Sequence, residues 1–153
     1  MPDPEGVPET GPEREPGVSL PAAIARGMVR AMKKYYGKGP VKAKSYLMDD
    51  LLFVVMRGGV TTAEETMVKA GQEDAVREFR QRFENEMAER LTALVEQLTG
   101  RKVINYQSQI LFDPDMLIEI FVFDRPMVAE EPEQRAVITD AQRVDEGAGG
   151  PVG

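Results

Sequence analysis

The chain has no cysteine and no histidine among its 153 residues. Without cysteine there can be no disulfide, no thiolate nucleophile and no cysteine-ligated zinc or iron–sulfur site. Without histidine the usual general base near neutral pH and the commonest metal ligand are missing. A Ser-His-Asp or Cys-His mechanism is therefore excluded within this chain. Long apolar runs are also missing: none approaches the ~20 residues that span a bilayer. The start, Met1-Pro2-Asp3-Pro4-Glu5, lacks the positive charge and apolar centre of a secretory signal. These absences predict a cytoplasmic protein with no direct membrane insertion. No catalytic constellation, cofactor motif or metal-ligand cluster stands out, so the expectation is a protein that is not an enzyme.

One more absence is local. The formal net charge is −7, yet Pro16 to Met48 contains no Asp or Glu and carries seven cations, Arg26, Arg30, Lys33, Lys34, Lys38, Lys42 and Lys44. The acidic total argues against general nucleic-acid affinity. A local basic face can still attract anions, because steering follows the local field more than the net charge. Arg30, Lys33, Lys34, Lys38, Lys42 and Lys44 are accordingly the candidate docking residues for an anion or a partner. Gly37-Lys38-Gly39-Pro40 sits within this window. It reads first as a helix C-cap and tight turn, and second as an anion cradle of exposed amides beside a lysine. It is not a Walker A loop, which needs a longer glycine spacing and a strand leading into a helix. Lys42, Lys44 and Tyr46 fall on one strand face, where they read either as a solvated face that protects an edge or, with Arg30, Lys33 and Lys34, as a phosphate-contacting surface.

What is present is strongly periodic. Residues 1–18 form an acidic tail in which Pro2, Pro4, Pro8, Pro12 and Pro16 alternate with glycines and acids; too little apolar surface is available to order it. Residues 125–153 read as a second acidic, mostly disordered tail. Between them, residues 19–124 read as one domain. Ser19 caps a first helix with Pro21 in its first turn. Its apolar face is Leu20, Ile24, Met28, Ala31, Met32 and Tyr35, and Gly37 ends it. A strand follows in which Val41, Ala43, Ser45 and Leu47 alternate with polar residues. Met48-Asp49-Asp50 turns the chain into Leu51–Met56, apolar enough to be covered on both faces. Thr61 or Thr62, each with a glutamate three residues on, caps a short helix. A long helix then runs from about Gln72 to Thr99, with Val76, Phe79, Phe83, Met87, Leu91, Leu94, Val95 and Leu98 as its stripe. Arg77, Arg80, Arg82, Glu84, Glu86, Glu89 and Arg90 are assigned to its solvent face. At about 1.5 Å per residue it is roughly 40 Å long, more than a four-stranded sheet needs, so part of its stripe is expected to meet a second subunit. Lys102–Phe112 and Met116–Phe123 form the last two strands, joined by Asp113-Pro114-Asp115.

Helix–strand–strand thus occurs twice, with an extra helix between. The order predicts an α+β, two-layer domain: a four-stranded, mainly antiparallel sheet with the helices packed on one face. Strand order is not legible. Asp49-Asp50 and Asp113-Pro114-Asp115 fit turn preferences better than cation binding. Glu119 interrupts an apolar strand and is expected to face solvent or to pair with a base. Met28, Met32 and Met87 read as core filling.

Several separated elements taken together resemble one bacterial family. They are Tyr36-Gly37-Lys38-Gly39-Pro40, Asp49-Asp50-Leu51, Gly58-Gly59 followed by Thr61-Thr62-Ala63-Glu64-Glu65, Val76-Arg77 with Arg82-Phe83, Leu98-Thr99-Gly100-Arg101-Lys102-Val103, and Ile118-Glu119-Ile120-Phe121-Val122. Over about Ser19 to Asp124 the chain is similar to the MpsC-like family, a domain of unknown function named for a component of a sodium-translocating, membrane-potential-generating system. Thr62 stands where members often have proline. The resemblance implies an accessory or regulatory protein of a membrane cation or bicarbonate transport system, peripheral to the inner face of the cell membrane and acting through protein contacts. It supplies no catalytic residues. A homodimer and contacts with membrane transport subunits are the expected partners. The alternative is an anion-binding module, for a nucleotide or nucleic acid, built on the basic face around Gly37–Pro40.

Overall fold

Side-chain caps start the first two helices, and left-handed glycines stop the first and third, where the sequence supplies them. The computed structural model describes residues 16–127, so most of both expected tails lies outside the described residues. Helix α1 (Leu20–Tyr36) begins at Ser19, whose hydroxyl accepts from the Ala22 amide, and ends at Gly37 with φ of 78°. That left-handed conformation is one glycine adopts without a Cβ penalty. Strands β1 (Lys42–Met48) and β2 (Leu51–Arg57) form the first hairpin. Its turn places Asp49 at φ of 51°, in a region that Asp tolerates better than most residues. Helix α2 (Thr62–Lys69) opens with the expected capping box, Thr61 accepting from the Glu64 amide and Glu64 accepting from the Thr61 amide. Helix α3 (Glu73–Thr99) has 27 residues and ends at Gly100. Strands β3 (Val103–Phe112) and β4 (Asp115–Phe123) complete the domain.

The sheet order is β1-β2-β4-β3, and every neighbouring pair is antiparallel. All three helices lie on one side, giving the expected α+β two-layer arrangement. The core is the seam between layers, where Ile24, Met28 and Met32 of α1 and Met87, Leu91 and Val95 of α3 meet Leu52, Val54, Met56, Ile110, Leu117, Phe121 and Phe123 of the sheet. The three methionines therefore are core filling. Gly27 lets α1 and α3 approach closely, because a Cβ there would lie 3.2 Å from Leu94. Ser45 donates its hydroxyl to the Pro21 carbonyl and ties β1 to the first turn of α1.

Two expectations about coverage fail. Leu51–Met56 is buried on one face only, with Leu51, Phe53 and Val55 half-exposed. Its apolar run comes from sitting in the middle of a sheet whose second face no described element covers. Val41 lies outside the strand and is 79% exposed. Its amide donates to the Arg57 carbonyl at 2.8 Å, so the backbone is used while the side chain is not.

Candidate functional site

The buried stripe of α3 is Val76, Arg80, Glu84, Met87, Leu91 and Val95. Spacings of three and four put Arg80 and Glu84 in phase with the core residues, although their charge assigned them to the solvent face. The apolar Phe79, one position out of phase, is 51% exposed instead. Periodicity outranks polarity here because the two buried ions have partners waiting. Arg80 donates from Nε to Glu64 Oε2 at 2.5 Å and from its terminal nitrogen to Glu64 Oε1 at 2.6 Å. It also donates to the Gly59 carbonyl at 3.0 Å. Its guanidinium lies 3.9 Å from the centre of the Tyr36 ring. Burial disfavours the charged Glu64 carboxylate, but the Arg80 and Thr61 hydrogen bonds outweigh it and hold its pKa below the ordinary value. Burial likewise opposes the Arg80 charge, and Glu64 more than restores it.

A second carboxylate continues the network. Glu84 accepts from the Tyr36 hydroxyl at 2.8 Å through one oxygen and from the Tyr106 hydroxyl at 2.9 Å through the other. Beneath it, on β4, lies Glu119, with no exposed surface. This corrects the expectation that Glu119 faces solvent or pairs with a base. It occupies an inward register position, opposite Val54 on β2 and Ser108 on β3. Neither of its oxygens meets a partner at hydrogen-bonding geometry. The polar groups around it are Glu84, Tyr106 and Ser108. Burial, then the neighbouring Glu84 charge, push the Glu119 carboxyl well above the usual range. Burial also raises Glu84, against the pull of its two tyrosine hydrogen bonds, and it raises both tyrosine hydroxyls, with help from the carboxylates. The only sequence signal for this cluster was position: one acid on an inward strand register and two ions in phase with a helical stripe.

The basic window is divided by the sheet. Arg30, Lys33 and Lys34 are exposed on α1, in the helix layer. Lys42 and Lys44 point from β1 to the opposite side, since Ala43, Ser45 and Leu47 take the positions facing the helices. Lys38 is engaged, donating from Nζ to the Val60 carbonyl at 2.9 Å. Gly37 serves as the C-cap.

The uncovered sheet face has its own composition. Its register rows are Lys42, Arg57, Met116 and Leu111; Lys44, Val55, Ile118 and Gln109; Tyr46, Phe53, Ile120 and Gln107; and Met48, Leu51, Val122 and Asn105. The two central strands are almost wholly apolar, three cations gather at the β1 side, and no acid is present. Strand and residue spacings give the face roughly 400 Å², the size of patch that often marks an interaction site. On the other layer, Ala63, Glu64, Met67, Ala75, Val76 and Phe79 line an apolar groove of about 260 Å³ between α2 and α3.

Among the described residues no group of carboxylates could hold a metal ion, and no helix is long and apolar enough to cross a membrane. A family model described as "Na+-translocating membrane potential-generating system (MpsC)" matches residues 18–125. No curated protein and no solved structure matches the chain.

Proposed function

The chain belongs to the MpsC family, and on that premise we propose that it is a non-catalytic accessory or regulatory protein of a sodium-translocating membrane system. It acts from the cytoplasmic side through protein contacts. The observation that carries this reading is the sheet face that no described element covers, with Leu51, Phe53, Val55, Ile118, Ile120 and Val122 partly exposed at its centre. An apolar face left uncovered by the described residues and bordered by Lys42, Lys44 and Arg57, with no acid of its own, fits a partner surface that is apolar and rimmed by carboxylates. The family match makes a subunit of the membrane system the natural owner of that surface. The division of the basic window between the two layers favours this surface over a single anion site around Gly37–Pro40.

Affinity purification of the chain together with its native membranes should retain transport subunits. The double substitution Phe53→Asp with Ile118→Asp is expected to abolish that retention, because it places two charges where apolar contact is required. Both side chains lie outside the core seam, so the circular dichroism of the variant should stay native. Retention unchanged in a folded double variant would end the proposal for this face.

The homodimer belongs to the groove between α2 and α3. Met67 of α2 is 43% exposed there and Phe79 of α3 51%, and both line the groove. In light scattering at micromolar concentration the chain is expected to have twice its monomer mass of 17.0 kDa, and Phe79→Glu to return it to the monomer. A monomeric native chain under those conditions would rule the dimer out.

A further inference from the structure

The Glu84–Glu119 cluster has an imbalance of protons that its geometry makes countable. Three carboxyls, Glu64, Glu84 and Glu119, and one guanidinium, Arg80, are all buried. Arg80 is committed to Glu64 by two short hydrogen bonds. Tyr36 and Tyr106 each have one hydroxyl proton, and both are spent on Glu84. Glu84 is therefore furnished with donors as a carboxylate should be. Glu119 is not. Of its neighbours, Tyr106 has a single proton that already meets Glu84 at 2.9 Å, Glu84 is itself an acceptor, and Ser108 offers at most a single proton. The pull of Tyr106 and Ser108 on Glu119 is therefore outweighed by burial and the Glu84 charge. The inward residues of β2 beside it, Leu52, Val54 and Met56, are apolar. An ionised Glu119 would add a second negative charge with few donors in a dry interior, an arrangement that burial strongly disfavours. A neutral Glu119 is a donor among acceptors, matching what surrounds it.

We infer that Glu84 and Glu119 hold one proton between them, resident on Glu119, and that this buried proton is what allows α3 to seat its charged turn on the sheet. The site is a proton-binding site of the carboxyl-pair kind, in which two close carboxyls cannot both ionise. A cavity of about 20 Å³ borders Glu84 and Ser108 and is also lined by Gln81 and Gln109, both of which are exposed. It borders Glu84 and not Glu119, so the proton reaches solvent by way of Glu84. Release of the proton charges Glu119 against Glu84 and works to separate α3 from β4. The pair thus couples the helix layer to pH. This inference stands on the buried geometry alone and is independent of the family reading.

The sign follows from proton counting. In the unfolded chain Glu119 ionises near its ordinary value of 4.5, whereas in the folded chain it keeps its proton. The folded state binds more protons above that pH, so raising the pH favours unfolding, by up to about tenfold in the equilibrium constant per pH unit. The test uses the full chain. Infrared spectroscopy at pH 7 should show a protonated-carboxyl C=O band that Glu119→Gln removes. Urea unfolding between about pH 5 and 8 should show stability falling with pH in the native chain, and Glu119→Gln, neutral at every pH, should flatten that fall and be relatively more stable at the alkaline end. Absence of the band from the native chain, or a pH profile that Glu119→Gln leaves unchanged, would overturn the inference. Should the variant fail to fold, the band in the native chain and its titration decide alone.

Discussion

Arg80→Ala is expected to lower stability by about 3–5 kcal/mol, the cost of leaving a buried charge without its partner. The substitution strips both hydrogen bonds from Glu64 and the donor from the Gly59 carbonyl, and it removes the cation stacked on Tyr36. Typical domains are stable by only 5–15 kcal/mol, so a large share of the folded population is at risk at physiological temperature. The comparison that gives the result meaning is Arg82→Ala. Arg82 bonds Glu78 at 2.8 Å, a distance similar to those in the buried pair, but both side chains are largely exposed. Solvent screening reduces such pairs to about 0–1 kcal/mol. Urea midpoints of the two variants should therefore differ widely although each deletes one arginine ion pair. The double variant Arg80→Met with Glu64→Gln should recover much of the loss, since it removes both charges together. Equal effects of Arg80→Ala and Arg82→Ala would contradict the buried placement.

Phe121→Ala is expected to cost a comparable 3–5 kcal/mol through lost burial and the cavity left behind. Phe121 has no exposed surface, and its ring centre lies 4.9 Å from that of Tyr106. The adjacent Ile120 is the informative control, because it points to the open sheet face. In the isolated chain Ile120→Ala should cost no more than about 1–1.5 kcal/mol, below the usual range for a buried isoleucine, whereas its effect on partner retention should be large. Two neighbours on one strand would then divide into a residue that holds the fold and one that serves contact. Guanidinium unfolding of the isolated variants and membrane co-purification read the two effects separately. An isolated-chain penalty for Ile120→Ala as large as that of Phe121→Ala would mean that something already covers the open face.

The elements were legible because each rests on local chemistry. Ser19, Thr61, Gly37 and Gly100 bound their helices through single hydrogen bonds or a single left-handed residue, interactions confined to one turn. Alternation in β1 predicted its faces for the same reason. The cluster of Glu64, Arg80, Glu84 and Glu119 was not legible, because its members come from α2, α3 and β4 and each looked like an ordinary surface ion in isolation. Arg80 was assigned to solvent by its charge, which is the right prior for a residue with no known partner. Only the tertiary fold shows that Glu64, 16 residues away, supplies one.

The acid-free window shows the same division. Composition alone established that Pro16–Met48 is cationic in an acidic chain, and the absence of cysteine and histidine alone removed whole classes of chemistry. Both are sums over residues and need no geometry. Whether the cations share one surface depends on which way β1 faces once α1 has packed on it, and the sheet sends Lys42 and Lys44 to the side away from Arg30, Lys33 and Lys34. Whether a carboxyl is bare or buried depends likewise on the order β1-β2-β4-β3, which places Glu119 on a central strand beneath α3. Charge, capping and periodicity are carried by neighbours in the chain. Burial and pairing are set by neighbours in space, and those exist only after the two layers have closed.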